Sequence, residues 1–249
     1  MRKAGSASLG IAGWLALLGC IYCHAAIAAE PTDVGRCLAV AADMNLGAPL
    51  PKTRTKLRAG QPITIVALGS SSTTGVGTFG PGFPAVMKAE LAGRHTAHIA
   101  VINSGRIFET AGGNLARFEK DVLRYRPDLV IWQIGTNDVL WHGGASGAET
   151  PMRDGVRRLK QAGAEVILMD LQDAPAVRGK SSHVAMENLI AQVAGEEAVG
   201  LFPRFLLMQR AQAQGVKGLV AIDGLHNSAA GYRCIGIALA RMIDADVAR

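Results

Sequence analysis

"ITIVALGSSSTTG", residues 63–75, joins an unbroken apolar run to a turn holding three consecutive serines. An uncharged run bounded by glycine is what a strand buried on both faces requires, whereas a strand with one wet face would alternate. Comparable runs recur at "HIAVIN" (98–103), "DLVIWQIG" (128–135), "EVILMDL" (165–171) and "VGLF" (199–202). Helical spacing fills the intervals. It covers Phe83 to about Gly93, "NLARFEKDVLRY" with Leu115, Phe118, Val122 and Tyr125 on one face, residues 152–162, about 184–194, and a segment through Leu206 and Met208. A last helix is predicted from about Ala229 to Asp246, and a short one over "TDVGRCLAVAADM" ahead of the first strand. "GAPLPKTRTKLRAGQP" reads as a connector. Strands alternating with helices give right-handed βαβ units, hence an α/β fold with a parallel sheet covered on both faces. Ligands of such sheets bind outside the carboxyl ends of the strands, so the residues just after each strand are the place to look for chemistry.

The whole chain fits that plan. With 249 residues, 49% of them hydrophobic, it can bury a full core in one domain. It carries no internal repeat and no low-complexity tract. The formal charge of +6 is scattered and falls to +4 without Arg2 and Lys3. No basic stripe is interleaved with aromatics, so no nucleic-acid partner is expected. Arg2 and Lys3 precede an uncharged stretch from Ala4 to Ala29, and Ala26 and Ala28 fit an A-x-A cleavage signal before Ala29. Residues 1–28 therefore read as a cleaved signal peptide and residues 29–249 as a single domain, periplasmic or secreted. Two alternatives are a lipoprotein cleavage box, "LLGC" ending at Cys20, and an uncleaved span over residues 9–29. Membrane contact is expected only through this segment. Cys37 and Cys234 remain in the mature chain, a disulfide candidate in an oxidising compartment, with two separate buried thiols as the alternative.

Gly69-Ser70-Ser71-Ser72-Thr73 follows the first strand, Asn103-Ser104-Gly105 the second and Gly135-Thr136-Asn137-Asp138 the third, while Asp223-Gly224-Leu225-His226 precedes the last helix. Acyl transfer needs these parts. A serine hydroxyl is a poor nucleophile until an imidazole takes its proton, and a carboxylate must hold that imidazole in the right tautomer. Asp223, three residues before His226, can fold back onto Nδ1 and leave Nε2 facing a serine. Candidate oxyanion donors are the backbone N–H of the nucleophile, the N–H of Gly105 and the side-chain amide of Asn137. Each block alone is an ordinary turn or helix start; four in order, each at a strand end, point to one site.

In this order the blocks resemble the SGNH (GDSL-type) hydrolases, whose blocks read G-D-S, N-x-G, G-x-N-D and D-x-x-H. The resemblance spans about residues 63–235 and includes "HNSAAGY". It implies a flavodoxin-like three-layer α/β/α sandwich with a five-stranded parallel sheet, and ester hydrolysis without metal or cofactor. It assigns the nucleophile to Ser71, the oxyanion donors to Ser71, Gly105 and Asn137, and the rest of the triad to Asp223 and His226. One departure stands out. Where the family keeps Asp before the nucleophile, this chain has Ser70, which leaves the bracing of that loop to be explained.

Other signals carry less. "GVGTFG" (75–80) matches a dinucleotide fingerprint, but Pro81 and Gly82 follow where a helix should open, so it reads as a flexible loop. "GKS" (179–181) lacks the first glycine of a P-loop, and no serine sits in G-x-S-x-G. His95 and His98 have no partners at metal spacing and read as surface or strand-edge residues. Trp141 and His142 either line the substrate cleft or form a packed aromatic beside a solvated histidine. The short, Gly- and Ala-rich loops favour an open cleft for short acyl groups, such as acetyl esters of a carbohydrate. An O-acetyltransferase acting on cell-envelope glycans, a lysophospholipase and a thioesterase would use the same residues.

Overall fold

Ile63, Ile65 and Ala67 of strand β1 (Ile63–Gly69) are buried on one side of a sheet, and Val66 and Leu68 on the other. The same alternation holds in β3 (Leu129–Gln133), where Leu129 and Ile131 oppose Val130 and Trp132, and in β4 (Glu165–Met169). The computed structural model describes Met1 and residues 33–248. The expected leader, with Cys20 and Cys23, lies outside the described residues apart from Met1. Five parallel strands pair in the order β2-β1-β3-β4-β5, with β2 at Ile99–Gly105 and β5 at Gly200–Phe202. This is the flavodoxin-like order, and its direction reverses between β1 and β3, where a crevice opens at the carboxyl edge.

Helices cover both faces. α1 (Asp33–Ala42), α2 (Pro51–Arg58), α4 (Phe83–Ala92), α11 (Arg204–Ala213) and α12 (Ala229–Ala248) bury apolar residues against one face. α5 (Ala111–Ala116), α6 (Phe118–Asp121), α8 (Ala145–Gln161) and α10 (His183–Glu196) contribute to the core on the other. Short helices α3 (Ser71–Thr74), α7 (Thr136–Trp141) and α9 (Pro175–Arg178) open the loops after β1, β3 and β4. Among the described residues no helix is long and apolar enough to cross a membrane.

Two segments differ from their sequence reading. The expected connector contains α2, whose first N–H groups are capped from afar: the Glu165 carboxylate accepts from Lys52 N at 2.6 Å and from Thr53 N at 2.8 Å. The single helix expected over residues 114–125 is three short pieces, broken at Arg117 (φ −113°) and Val122 (φ −131°). At the first break the Arg117 side chain runs inward to the sheet instead of outward to water. Close packing accompanies the break. Phe118 stands edge-on to Trp132 with ring centroids 5.1 Å apart, and a Cβ on Gly155 would lie 2.4 Å from the Trp132 ring.

Cys37 and Cys234 form a disulfide, with Cα atoms 6.0 Å apart, between α1 and α12. It closes a loop of most of the domain, so its loss releases a large chain entropy in the unfolded state. The double variant Cys37→Ala/Cys234→Ala is expected to lose about 2–5 kcal/mol of unfolding free energy in denaturant titration, and reductant should act on the native chain but not on the variant.

Candidate active site

The turn after β1 is built by close approach. Gly69 ends the strand, Ser70 is extended, and α3 begins at Ser71 and closes at Gly75, which takes a left-handed φ of 99°. A Cβ on Gly105, paired with Gly69 across β1 and β2, would meet Thr74 N at 2.5 Å, so a glycine there lets α3 lie against the end of β2.

Beneath the turn lies Gln133, fully buried at the end of β3. Its Oε1 accepts from Ser70 N at 3.0 Å, from Ser70 Oγ at 3.0 Å and from Thr73 Oγ1 at 3.2 Å. Because a backbone N–H can only donate, the amide must present its oxygen here. An aspartate at position 70 could only accept; Ser70 donates. A donor on the loop and an acceptor below it take the place of a carboxylate.

Ser71 Oγ lies 2.8 Å from His226 Nε2, and His226 Nδ1 lies 2.6 Å from Asp223 Oδ2. The other carboxylate oxygen, Oδ1, accepts from Leu225 N and His226 N, each at 2.9 Å. Gly224, at φ +70°, makes the tight turn, and Ala221 N donating to the His226 carbonyl at 2.8 Å closes it. Burial raises the Asp223 pKa, but the hydrogen bonds from the imidazole and two backbone N–H groups outweigh it and hold the carboxyl below its ordinary value. Thus Asp223 stays ionised and fixes the imidazole with Nε2 toward the serine.

The other expected donors sit at the same edge. Asn137, buried at the start of α7, donates one amide hydrogen to the Glu109 carbonyl at 2.9 Å, leaving the second for a ligand. Gly105 N–H is directed at Asn103 Oδ1 at 3.0 Å, while Asn103 Nδ2 donates to the Thr73 carbonyl at 2.8 Å. Asn103 therefore links the turn after β1 to the Gly105 peptide.

Sequence reasoning missed Gln133 as a support, although a polar residue ending an apolar run was its visible signal. It also missed Arg117 and Glu109, for which no local signal exists. The nearly buried Arg117 guanidinium donates to the carbonyls of Gly69 at 3.2 Å and Ser104 at 2.8 Å, the residues that end β1 and precede Gly105. It also pairs with Glu109 Oε2 at 2.6 Å, and the Glu109 carbonyl is the one that holds Asn137. One cation thereby ties three active-edge loops together.

"GVGTFG" is not merely a loose loop. A Cβ on Gly77 would lie 2.5 Å from the Asn227 carbonyl and 2.7 Å from His226 Cβ, and Tyr232 Oη donates to the Val76 carbonyl at 2.6 Å. This loop packs against the histidine. His95 reaches Asp244 Oδ1 at 2.6 Å, away from the site, while Trp141 and His142 are exposed.

The chain belongs to the Non-GDSL lipase-like family, whose model matches residues 36–249. Its fold is that of the SGNH hydrolases, and it is an ester-hydrolysing enzyme. It is 27% identical over 172 residues to Esterase TesA of Pseudomonas aeruginosa, covering 69% of this chain and 82% of that one. It is 28% identical over 112 residues to an arylesterase of Vibrio mimicus, covering 45% of this chain and 56% of the arylesterase. An acetyl-xylooligosaccharide esterase of Geobacillus stearothermophilus shares the fold with a TM-score of 0.65 and 23% identity, covering 74% of this chain and 95% of that one.

A buried polar layer carries a pH dependence. Arg204, fully buried, donates to the Asp170 carbonyl at 2.6 Å and to Gln172 Oε1 at 2.8 Å; Gln172 also accepts from Thr136 and donates to the Leu225 carbonyl between Asp223 and His226. Burial pushes the Asp170 carboxyl up to about 7 despite the Phe205 N–H and the Arg204 charge. Asp170 is thus protonated in the folded chain while the unfolded chain ionises near pH 4, so the unfolded state holds fewer protons between these values. This group's contribution to stability should fall as pH rises from about 4 to about 7 and level off above. Melting temperature against pH should show that slope flattened in Asp170→Asn; an unchanged slope would contradict the assignment.

Proposed function

We propose that this chain is a serine esterase working through an acyl-enzyme, with Ser71 as nucleophile. The observation that carries the reading is the continuous path from Ser71 Oγ to His226 Nε2 and from Nδ1 to Asp223, at 2.8 and 2.6 Å. Ser71 attacks the ester carbonyl as His226 accepts its proton. Negative charge develops on the carbonyl oxygen, facing the Ser71 N–H, the second Asn137 amide hydrogen and the Gly105 N–H, which shares its proton between Asn103 and the oxyanion. His226 returns the proton to the leaving alcohol, then takes one from water as it attacks the acyl-enzyme. The disulfide supports an oxidising compartment, periplasmic or extracellular, in agreement with the N-terminal reading.

The fold shared with an acetyl-xylooligosaccharide esterase leaves acetylated glycans supported by short loops alone. The same short loops favour short acyl groups whatever the alcohol, and we adopt that reading.

A panel of esters varying in acyl length and alcohol tests both levels. Ser71→Ala should abolish turnover of every ester, whereas Ser70→Ala and Ser72→Ala should keep it; activity persisting in Ser71→Ala would overturn the nucleophile. Asn137→Ala should lose about 3 kcal/mol of transition-state stabilisation, roughly a hundredfold in turnover measured under saturating ester.

A further inference from the structure

Among residues 33–248, eight large apolar side chains are exposed, and the topology puts all eight at the carboxyl edge of the sheet. Val76 and Phe79 follow β1, Ile107 and Phe108 follow β2, Trp141 follows β3, and Ile222 directly precedes Asp223; the remaining two open the helices after β4 and β5. The flanks and the amino edge carry none of this class. Scattered apolar exposure is ordinary, but confinement to the edge that holds Ser71 is not. Phe79 and Ile222 are more exposed than in an extended reference peptide, so they project outward instead of lining a pocket. Phe108 does so from a left-handed backbone, φ 62°, which is unfavourable for a bulky aromatic.

We infer that this rim docks the enzyme, active edge down, on a phospholipid surface. The site's position selects this occupant. Anything covering the rim also covers Ser71, so a protein partner or a second copy would stopper the site, whereas a lipid surface can itself present the ester. Separate loops around an opening suit shallow insertion of several side chains, and no single small substrate could touch all of them. Exposed Lys180 lies on the same edge, placed to meet phosphate groups, while exposed Arg106 and Arg178 there pair with Asp121 at 3.1 Å and with Asp173 at 3.0 Å. The inference rests on the esterase reading only for its purpose; the contact itself needs no catalysis.

The test uses the full chain carrying Ser71→Ala, floated with vesicles of phosphatidylcholine and phosphatidylglycerol, with a second set whose acyl chains are brominated. The protein should float with the vesicles, and adding Phe79→Ser/Ile222→Ser should reduce the bound fraction by about tenfold. Brominated lipid should quench an emission that disappears in Trp141→Phe, which separates the rim from insertion of the N-terminal segment and its Trp14. Phe79→Ser/Ile222→Ser in the wild-type background should hydrolyse a short water-soluble ester at the parental rate. Flotation unchanged by the rim substitutions, or quenching unchanged by Trp141→Phe, would overturn the docking surface. Flotation as expected from a wild-type chain that cleaves no ester would sink the catalytic reading and leave the surface standing.

Discussion

The amide oxygen of Gln133 is the point on which the turn after β1 rests. It collects the Ser70 N–H and the hydroxyls of Ser70 and Thr73, and so fixes the chain on either side of Ser71. Because Gln133 ends β3 and the turn leaves β1, the bond also sets the crevice between the two strands where the sheet order reverses. Ser71, in the helix after β1, and Asn137, in the helix after β3, stand at the two strands that border this crevice by consequence, not by separate arrangement. The support is neutral, so it adds no buried charge beside the hydroxyl that gives up its proton in the proposed mechanism.

Charge is used one layer further out. Arg117 holds the last carbonyl of β1 and the penultimate one of β2, and through Glu109 it governs the segment that positions Asn137. Arg204 does a related job behind the turn from Asp223 to His226 through Gln172 and Leu225. Both guanidinium groups bind backbone carbonyls at strand or turn ends, and at Gly69 the guanidinium shares the carbonyl with Arg106 N. The active edge thus holds its shape through side-chain donors reaching from neighbouring elements.

Much of this fold was legible because buried parallel strands leave an unmistakable mark: "ITIVALG" falls on β1 residue for residue, and "DLVIWQIG" contains β3 and overruns it by one residue before and two after. The pairing of Asp223 with His226 was legible too, since three residues and a glycine suffice to fold one onto the other. What stayed hidden was tertiary. α2 is capped by Glu165, more than a hundred residues away, and the helix after β2 breaks where Arg117 finds partners on two strands. No local pattern records such partners. The departure at Ser70 was visible from the sequence, but its resolution needed the position of Gln133, which a strand pattern cannot place beneath a turn.

The most direct test of the account is where a fluorophosphonate ends up. Peptide mapping by mass spectrometry after reaction with the folded chain should find one phosphonyl group, on Ser71, and His226→Ala should abolish the adduct while leaving the melting temperature close to that of the parent. A modified Ser70 or Ser72, or undiminished labelling without His226, would contradict it.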